Sequence, residues 1–428
     1  MLHLDEARLA AIAAARAWVG EADRAERALL IEDLFGLFRA VAWATEPRRA
    51  RLAEALRQAT TGTDGAGYWS GEVWAADAAA PDREFYEQAW REAAELVSGQ
   101  LRLMDRHRSR SAWFTPAPDG PWPLRRTRPP VVAFYSFKGG VGRTTALAAF
   151  AIQRARSGER VVAIDGDLDA PGLGALLPAS RDGTSQRWGV VDYLLERRRR
   201  KVELRDYYHA FRDEAVVGAG EILVVPAGQL DPHYLGKLAR VDLEPPLPDD
   251  GAANRLGELL NQLATELRPQ WMLVDTRSGL SDAAGLVLAG LAHLQVVLGT
   301  ASAQSWAGLT VILDHLGADR VRRGLRQADC VLVQAMTPRM SAEPVKAAFA
   351  RQARAVFEAH YYAEEAAGDA FWTVGDADAS DAPHVPVPLS YDEKLAAFDY
   401  VGDVAPLLIS DEYRLLSERI RGRFPGAS

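Results

Sequence analysis

The stretch that most constrains this chain is residues 137–145, FKGGVGRTT, placed directly behind an apolar run at 131–135 and ahead of a helical pattern that begins at Thr144. Strand, glycine-rich loop and helix in that order form a cradle for phosphate. Gly139, Gly140 and Gly142 free the backbone to turn its N–H groups inward, and the start of the following helix adds a partial positive charge. Thr144 stands where a loop hydroxyl holds magnesium against the terminal phosphates.

After this loop, strand and helix alternate, which predicts a parallel sheet covered on both faces. Candidate strands lie at 131–135, 161–165, 222–226, 271–275, 295–298 and 330–334, nearly continuous apolar runs as doubly covered strands require. Helical stretches are expected at 144–157, 253–267 and 304–316. Residues 1 to about 108 read as helical instead. Leu4, Leu9, Ile12 and Ala13, then Leu29, Leu30, Leu34, Leu37 and Phe38, recur at spacings of three and four. A third helical pattern runs from 82 to about 105, and a loop with Tyr68, Trp69 and Trp74 separates it from the second. Seven of the 11 tryptophans precede residue 125, where the Pro/Arg-rich stretch 115–130 reads as a linker or a strapped-down connection. The expected fold is therefore α/β, a doubly wound, mainly parallel P-loop sheet preceded by a smaller all-α domain. Residues 1–125 are the Trp-rich module, suited to interaction or regulation, and residues 126–428 the nucleotide domain.

The sequence from Met1 to Gly20 lacks the layout of a signal peptide, and no stretch has the length of a membrane span, so a cytoplasmic protein is expected. Cys330, the single cysteine, lies in an apolar run and reads as a buried strand residue. A net charge of -8 speaks against general polyanion coating. Only five of the 50 cations are lysines, so a lysine in the glycine loop, Lys138, marks a place where arginine does not serve.

The motif KGGVGRTT resembles the deviant Walker A loop of the ParA, MinD and nitrogenase-iron-protein group of ATPases, in its KGGVGR variant. By that resemblance Lys138 is the signature lysine that reaches a partner's nucleotide, while Gly139, Gly140, Val141, Gly142, Arg143, Thr144 and Thr145 wrap the phosphates. Arg143 replaces the ordinary loop lysine. Its planar fork is wider than an ammonium, which leaves the rate of hydrolysis open. The segment VVAIDGDLDAPGL resembles the group's DxD element. It implies Asp165 near the magnesium shell and Asp167 positioning the attacking water, with Asp169 a weaker third candidate. WMLVDTRSG resembles a Walker B strand whose Asp275 holds magnesium through water, followed by a switch loop of Arg277, Ser278 and Gly279. Arg277 either senses the γ-phosphate, crosses a dimer interface, or pins the loop by a salt bridge. Gln334 and Pro388 fall where relatives approach adenine.

The resemblance implies ATP and Mg2+ as cofactors and an ATP-dependent homodimer acting as a switch on a partner. An association with bacterial signalling or defence systems comes from the family alone. The alternatives are a non-catalytic ATP-bound scaffold that presents the first domain to a protein, or a partition ATPase that binds DNA nonspecifically. For DNA, the run from Arg197 to Lys201 (RRRRK) and the group Arg320, Arg322, Arg323 and Arg326 are the candidate patches, with solvated or acid-paired faces the favoured reading. Tyr413, Leu416, Ile420 and Phe424 share a helix face that is better suited to docking on the core than to a membrane.

Overall fold

Runs of β-branched and aliphatic residues that are buried on both sides become the central strands of a sheet, and that rule organises most of this chain. The structure, a computed structural model, describes residues 2–21, 25–63, 67–76, 82–106, 113–114, 121–124, 128–180, 186–197, 201–241, 252–340, 342–364, 372–398 and 400–425, with the backbone alone at 252–255, 286 and 289. The chain divides into two units, Met1–Ser109 and Arg110–Ser428.

The first unit holds helices α1 (Leu4–Gly20), α2 (Glu46–Thr60) and α3 (Arg83–Glu92). It also holds strands β1 (Arg27–Glu32), β2 (Phe38–Trp43), β3 (Trp69–Ala75), β4 (Ala94–Val97) and β5 (Leu101–Asp105), in the sheet order β3-β2-β1-β5-β4. The expectation of a purely helical unit is corrected here. Leu29 and Leu30 lie in β1 and Phe38 in β2, Trp69 and Trp74 lie in a strand rather than a loop, and the third helix gives way to a hairpin. The reason is periodicity. Leu29 and Ile31 face Trp90 of α3, whereas Ala28 and Leu30 face Ala7, Ala11, Leu52 and Leu56 of α1 and α2. With both faces covered, the polar alternation that marks a strand disappears.

Among the described residues the second unit is built on eight strands, β6 (Val131–Ser136), β7 (Val161–Gly166), β8 (His209–Phe211), β9 (Ile222–Val225), β10 (Trp271–Thr276), β11 (Leu294–Gly299), β12 (Cys330–Thr337) and β13 (Val387–Ser390). Their order is β13-β12-β11-β6-β10-β7-β9-β8. All pairs are parallel except β8 with β9, so the sheet is mainly parallel as expected, with the short β8 and β13 added at its edges.

On one face α4 (Arg143–Arg156) lays its alanine-rich surface and Phe150 over Phe134, Ala163 and Leu273. The helix Asp411–Gly422 packs beside it through Tyr413, Leu416 and Ile420, the docking on the core expected of this stretch. On the other face Leu259, Leu260 and Leu263 of the helix Ala252–Leu267 cover Ala133, Ile164 and Met272. Helices Ala303–Leu316 and Ala342–His360 cover Val297 and Leu332. Each large side chain so buried contributes about 1.5–3 kcal/mol. Among the described residues no helix is long and apolar enough to cross a membrane.

The connection ahead of β6 is fastened to this unit. Trp113 donates from its indole N–H to the Ser281 carbonyl at 3.0 Å. His293 accepts at Nδ1 from the Val131 N–H (2.9 Å) and donates from Nε2 to the Trp122 carbonyl (2.8 Å).

Candidate phosphate-binding site

Three neighbouring strands, β6, β10 and β7, end side by side, and register pairs Asp275 with both Phe134 and Asp165. The chemistry-bearing residues therefore gather at the carboxyl edge of the sheet, where open parallel sheets place ligands. Beyond Ser136 the loop turns through Gly140 (φ 72) and Gly142 (φ 84), left-handed conformations that explain glycine at both positions. Gly142 caps α4, so the helix starts at Arg143, and its first N–H groups have no carbonyl partner within the helix. Lys138 is half-buried in this turn and makes no ion pair among the described residues.

Arg143 and Thr144 both reach Asp275. Arg143 donates from Nε to Asp275 Oδ1 at 2.5 Å and from Nη2 to Asp167 Oδ2 at 2.8 Å. Thr144 donates from its hydroxyl to Asp275 Oδ2 at 2.5 Å. Asp275 is 1% exposed. Burial raises its pKa, opposed by Arg143 and Thr144. Burial lowers the Arg143 pKa, but Asp275 and Asp167 outweigh it and hold the guanidinium above its ordinary value.

Asp165 has a different part. Its Oδ1 accepts from the Asp167 N–H (3.2 Å), and its Oδ2 accepts from Gly172 (3.1 Å) and Leu173 (3.0 Å), so it shapes the loop that carries Asp167. Burial and the neighbouring Asp275 push it up to about 7, against the hydrogen bonds from Leu173 and Gly172. Asp167 Oδ1 accepts from Ala170 N–H at 3.2 Å. Tyr234 supports the same loop, its hydroxyl donating to the Leu168 carbonyl at 2.7 Å.

Arg277 forms an ion pair with Asp169, which links the loops after β10 and β7. Gly279 (φ 73) donates to the Ser136 carbonyl at 3.2 Å and accepts from the Tyr135 hydroxyl at 3.2 Å. The Ser278 hydroxyl lies 3.6 Å from where a Cβ on Gly139 would sit. Gln334 and Pro388 are paired in register within β12 and β13, on the opposite side of β6 from Asp165 and Asp275. Two buried atoms along this edge, Ser136 Oγ and Gln334 Oε1, have no hydrogen-bond partner among the described residues.

Two positions that hold the site carry no motif. A Cβ on Gly308 would lie 2.0 Å from Phe137 Cγ, so this glycine makes room for the first residue of the loop. Gly285 does the same for Trp113, whose Nε1 would lie 2.6 Å from an added Cβ. A glycine inside a helical pattern is the one available hint. Of the arginine patches, Arg198 to Arg200 lie outside the described residues. Arg197 pairs with Glu258, Arg322 with Asp314, and Arg323 with Asp319, while Arg320 donates to the Arg326 carbonyl.

Residues 132–291 match the family described as the CobQ/CobB/MinD/ParA nucleotide binding domain. No curated protein matches the chain at a significant level. Among solved structures, the cell division ATPase MinD of Pyrococcus furiosus is 17% identical, over 69% of this chain and 99% of its own, with a TM-score of 0.44. The septum site-determining protein MinD of Pyrococcus horikoshii OT3, complexed with Mg-ADP, is 16% identical over 70% and 98%, with a TM-score of 0.45. A ParA family ATPase from Chlorobium tepidum TLS is 16% identical over 68% and 99%, with a TM-score of 0.43. Residues 132–291 are thus similar to the CobQ/CobB/MinD/ParA nucleotide binding domain, and the second unit is an α/β fold on a mainly parallel sheet.

Proposed function

We propose that this chain is an ATP-binding, magnesium-dependent molecular switch that hydrolyses ATP, dimerises under nucleotide control and positions or regulates a protein partner. The observation that carries this reading is the joint hold of Asp275 on Arg143 and Thr144, the first two residues of the helix that opens behind the glycine loop. Loop, helix start, buried carboxylate and hydroxyl are the parts from which a nucleotide triphosphate site is made.

The oxygen donors suit Mg2+. Thr144 and Asp275 touch one another, and no group of three or more His, Cys, Asp or Glu among the described residues would hold a metal alone. A hard cation with few protein ligands takes the rest from phosphate oxygens and water. When bound, magnesium supplies neutralisation of charge on the β- and γ-phosphates. In this reading Thr144, Asp165 and Asp275 surround the metal, Asp167 orients water, and residues 139–145 hold the phosphates. Lys138 reaches the nucleotide of a second copy, and Arg277, Ser278 and Gly279 respond to the γ-phosphate. Gln334 and Pro388 border the base, and the unpaired Gln334 Oε1 is an acceptor suited to an amino group. The compartment proposed is the cytoplasm, where ATP is supplied, and the first unit is the proposed docking module for a partner. A role in a bacterial signalling or defence system rests on the family association alone.

A second reading, a scaffold that binds ATP without turnover, is favoured by one contact, the Arg143 bond that occupies Asp167. DNA binding has less support, because Arg197, Arg322 and Arg323 are met by carboxylates and Arg320 by a carbonyl.

Equilibrium ATP binding and phosphate release, measured on the wild type and on Asp167→Asn, separate these readings. The switch requires Mg2+-dependent ATP binding in both proteins and turnover that falls by about 100-fold or more in the variant. Tight binding without turnover in the wild type selects the scaffold. A wild type that binds no ATP overturns both.

A further inference from the structure

We infer that Arg143 is an internal counter-ion that keeps a divalent cation out of the site until a phosphate chain draws the guanidinium away, so that metal and nucleotide enter only together. This rests on the nucleotide-binding reading above and adds to it a rule for how the site is loaded.

The inference comes from how the carboxylate oxygens are used. Asp275 gives Oδ1 to Arg143 and Oδ2 to Thr144. Asp167 gives Oδ2 to Arg143 and Oδ1 to the Ala170 N–H. Asp165 spends both oxygens on the N–H groups of Asp167, Gly172 and Leu173. Every carboxylate oxygen in the group already has a donor, and among the described residues the only charged donor is Arg143. A cation that is to approach Asp275 must therefore compete with the guanidinium for the same lone pairs.

Burial makes the competition strict. The side chains of Arg143 and Asp275 are 10% and 1% exposed, so both charges are largely cut off from water. Metal entering alone would leave a buried guanidinium facing a dication. Phosphate drawing Arg143 away alone would leave Asp275 without a counter-charge. Both are costly, because a buried charge that loses its partner is not rescued by solvent. The two exchanges together keep charges balanced: guanidinium moves from carboxylate to phosphate, and metal replaces it at the carboxylate.

The residue type fits this role. A guanidinium fork spans two carboxylates at once, here Asp275 through Nε and Asp167 through Nη2, which a lysine ammonium on a single point of attachment does not reproduce in the same fixed plane. Linkage then requires reciprocity, so nucleotide strengthens metal binding by the same factor as metal strengthens nucleotide binding.

Mn2+ binding followed by electron paramagnetic resonance tests this without any turnover. Wild-type protein should leave the free Mn2+ signal unchanged, and addition of ADP should bring Mn2+ onto the protein beyond what ADP alone binds. In Arg143→Lys and Arg143→Ala, Mn2+ should bind without ADP, and the factor by which ADP improves it should shrink by about tenfold or more, about 1.4 kcal/mol of coupling. Arg143→Lys keeps a cation at the position and guards against a variant that fails to fold. Wild-type protein that binds Mn2+ equally well with and without ADP, or variants that retain the full coupling, would overturn the inference. Absence of any ADP binding to the wild type, measured separately by calorimetry, would instead sink the nucleotide reading itself.

Discussion

The Nε of Arg143 donates to Oδ1 of Asp275 across 2.5 Å, tying the first residue of α4 to the end of β10 at a carboxylate removed from solvent. A buried pair of this kind is worth less in its formation than its half-removal costs. Arg143→Met should therefore lower the unfolding free energy by about 3–5 kcal/mol. Adding Asp275→Asn should recover part of that loss, because the stranded charge disappears with it. Urea unfolding of both variants is the measurement, and a single-variant loss below about 1 kcal/mol would contradict a buried clamp.

Arg277 and Asp169 behave differently, since their side chains are 40% and 42% exposed. An exposed pair contributes at most about 1 kcal/mol, so Arg277→Gln should leave the unfolding midpoint nearly unchanged. If Arg277 senses the γ-phosphate, the same variant should lose about tenfold in the ratio of ATP to ADP affinity. An unchanged ratio would leave Arg277 as a pin between two loops.

Gly308 offers a test of how the loop is seated. In Gly308→Ala the new methyl would collide with the Phe137 ring, and overpacking of this kind costs about 1–3 kcal/mol. Because Phe137 leads directly into Lys138, the displaced ring should also weaken ATP binding. A companion Phe137→Leu change should restore part of the affinity. Calorimetric binding that is unaffected by Gly308→Ala would show that the ring can move aside without disturbing the loop.

His315 predicts a pH dependence. Burial first, with Arg323 and Arg320 adding to it, pulls its pKa down to about 4 against the pull of Asp319 and Asp314. The ring is thus neutral when folded, while the unfolded chain takes up a proton near pH 6.5. Its contribution to stability is complete above that value and is lost as pH falls toward about 4, at up to about 1.4 kcal/mol per pH unit. His315→Gln should flatten the stability profile over that window by about one proton. An unaltered slope would mean that the burial of this ring is not what the profile reports.

The sequence makes the second unit legible because its strands are buried on both faces and therefore read as unbroken apolar runs, such as 161–165 and 271–275. The same double burial hides the first sheet. Leu29, Leu30, Leu34, Leu37 and Phe38 mimic helical spacing, yet Leu34 and Leu37 belong to the turn between two antiparallel strands. β8 and β13 span only three and four residues, too short for a period to show. In the site, the glycine loop and the strand-ending aspartates are local patterns and can be read directly. The grip of Arg143 on two carboxylates, and the space that Gly308 leaves for Phe137, arise between segments distant in sequence and have no local signature.

His293 draws a limit on how this chain can be cut. Its two ring nitrogens serve as a neutral staple, one accepting from the first residue of β6 and the other donating to Trp122. Trp122 in turn donates from its indole to the Pro129 carbonyl at 3.0 Å. A fragment beginning at residue 126 would keep every recognisable motif yet discard the far end of that staple, along with the ring of Trp113 that fills the hollow at Gly285. A fragment that keeps both anchors therefore begins upstream of Trp113, ahead of the stretch that reads in sequence as a linker or a strapped-down connection.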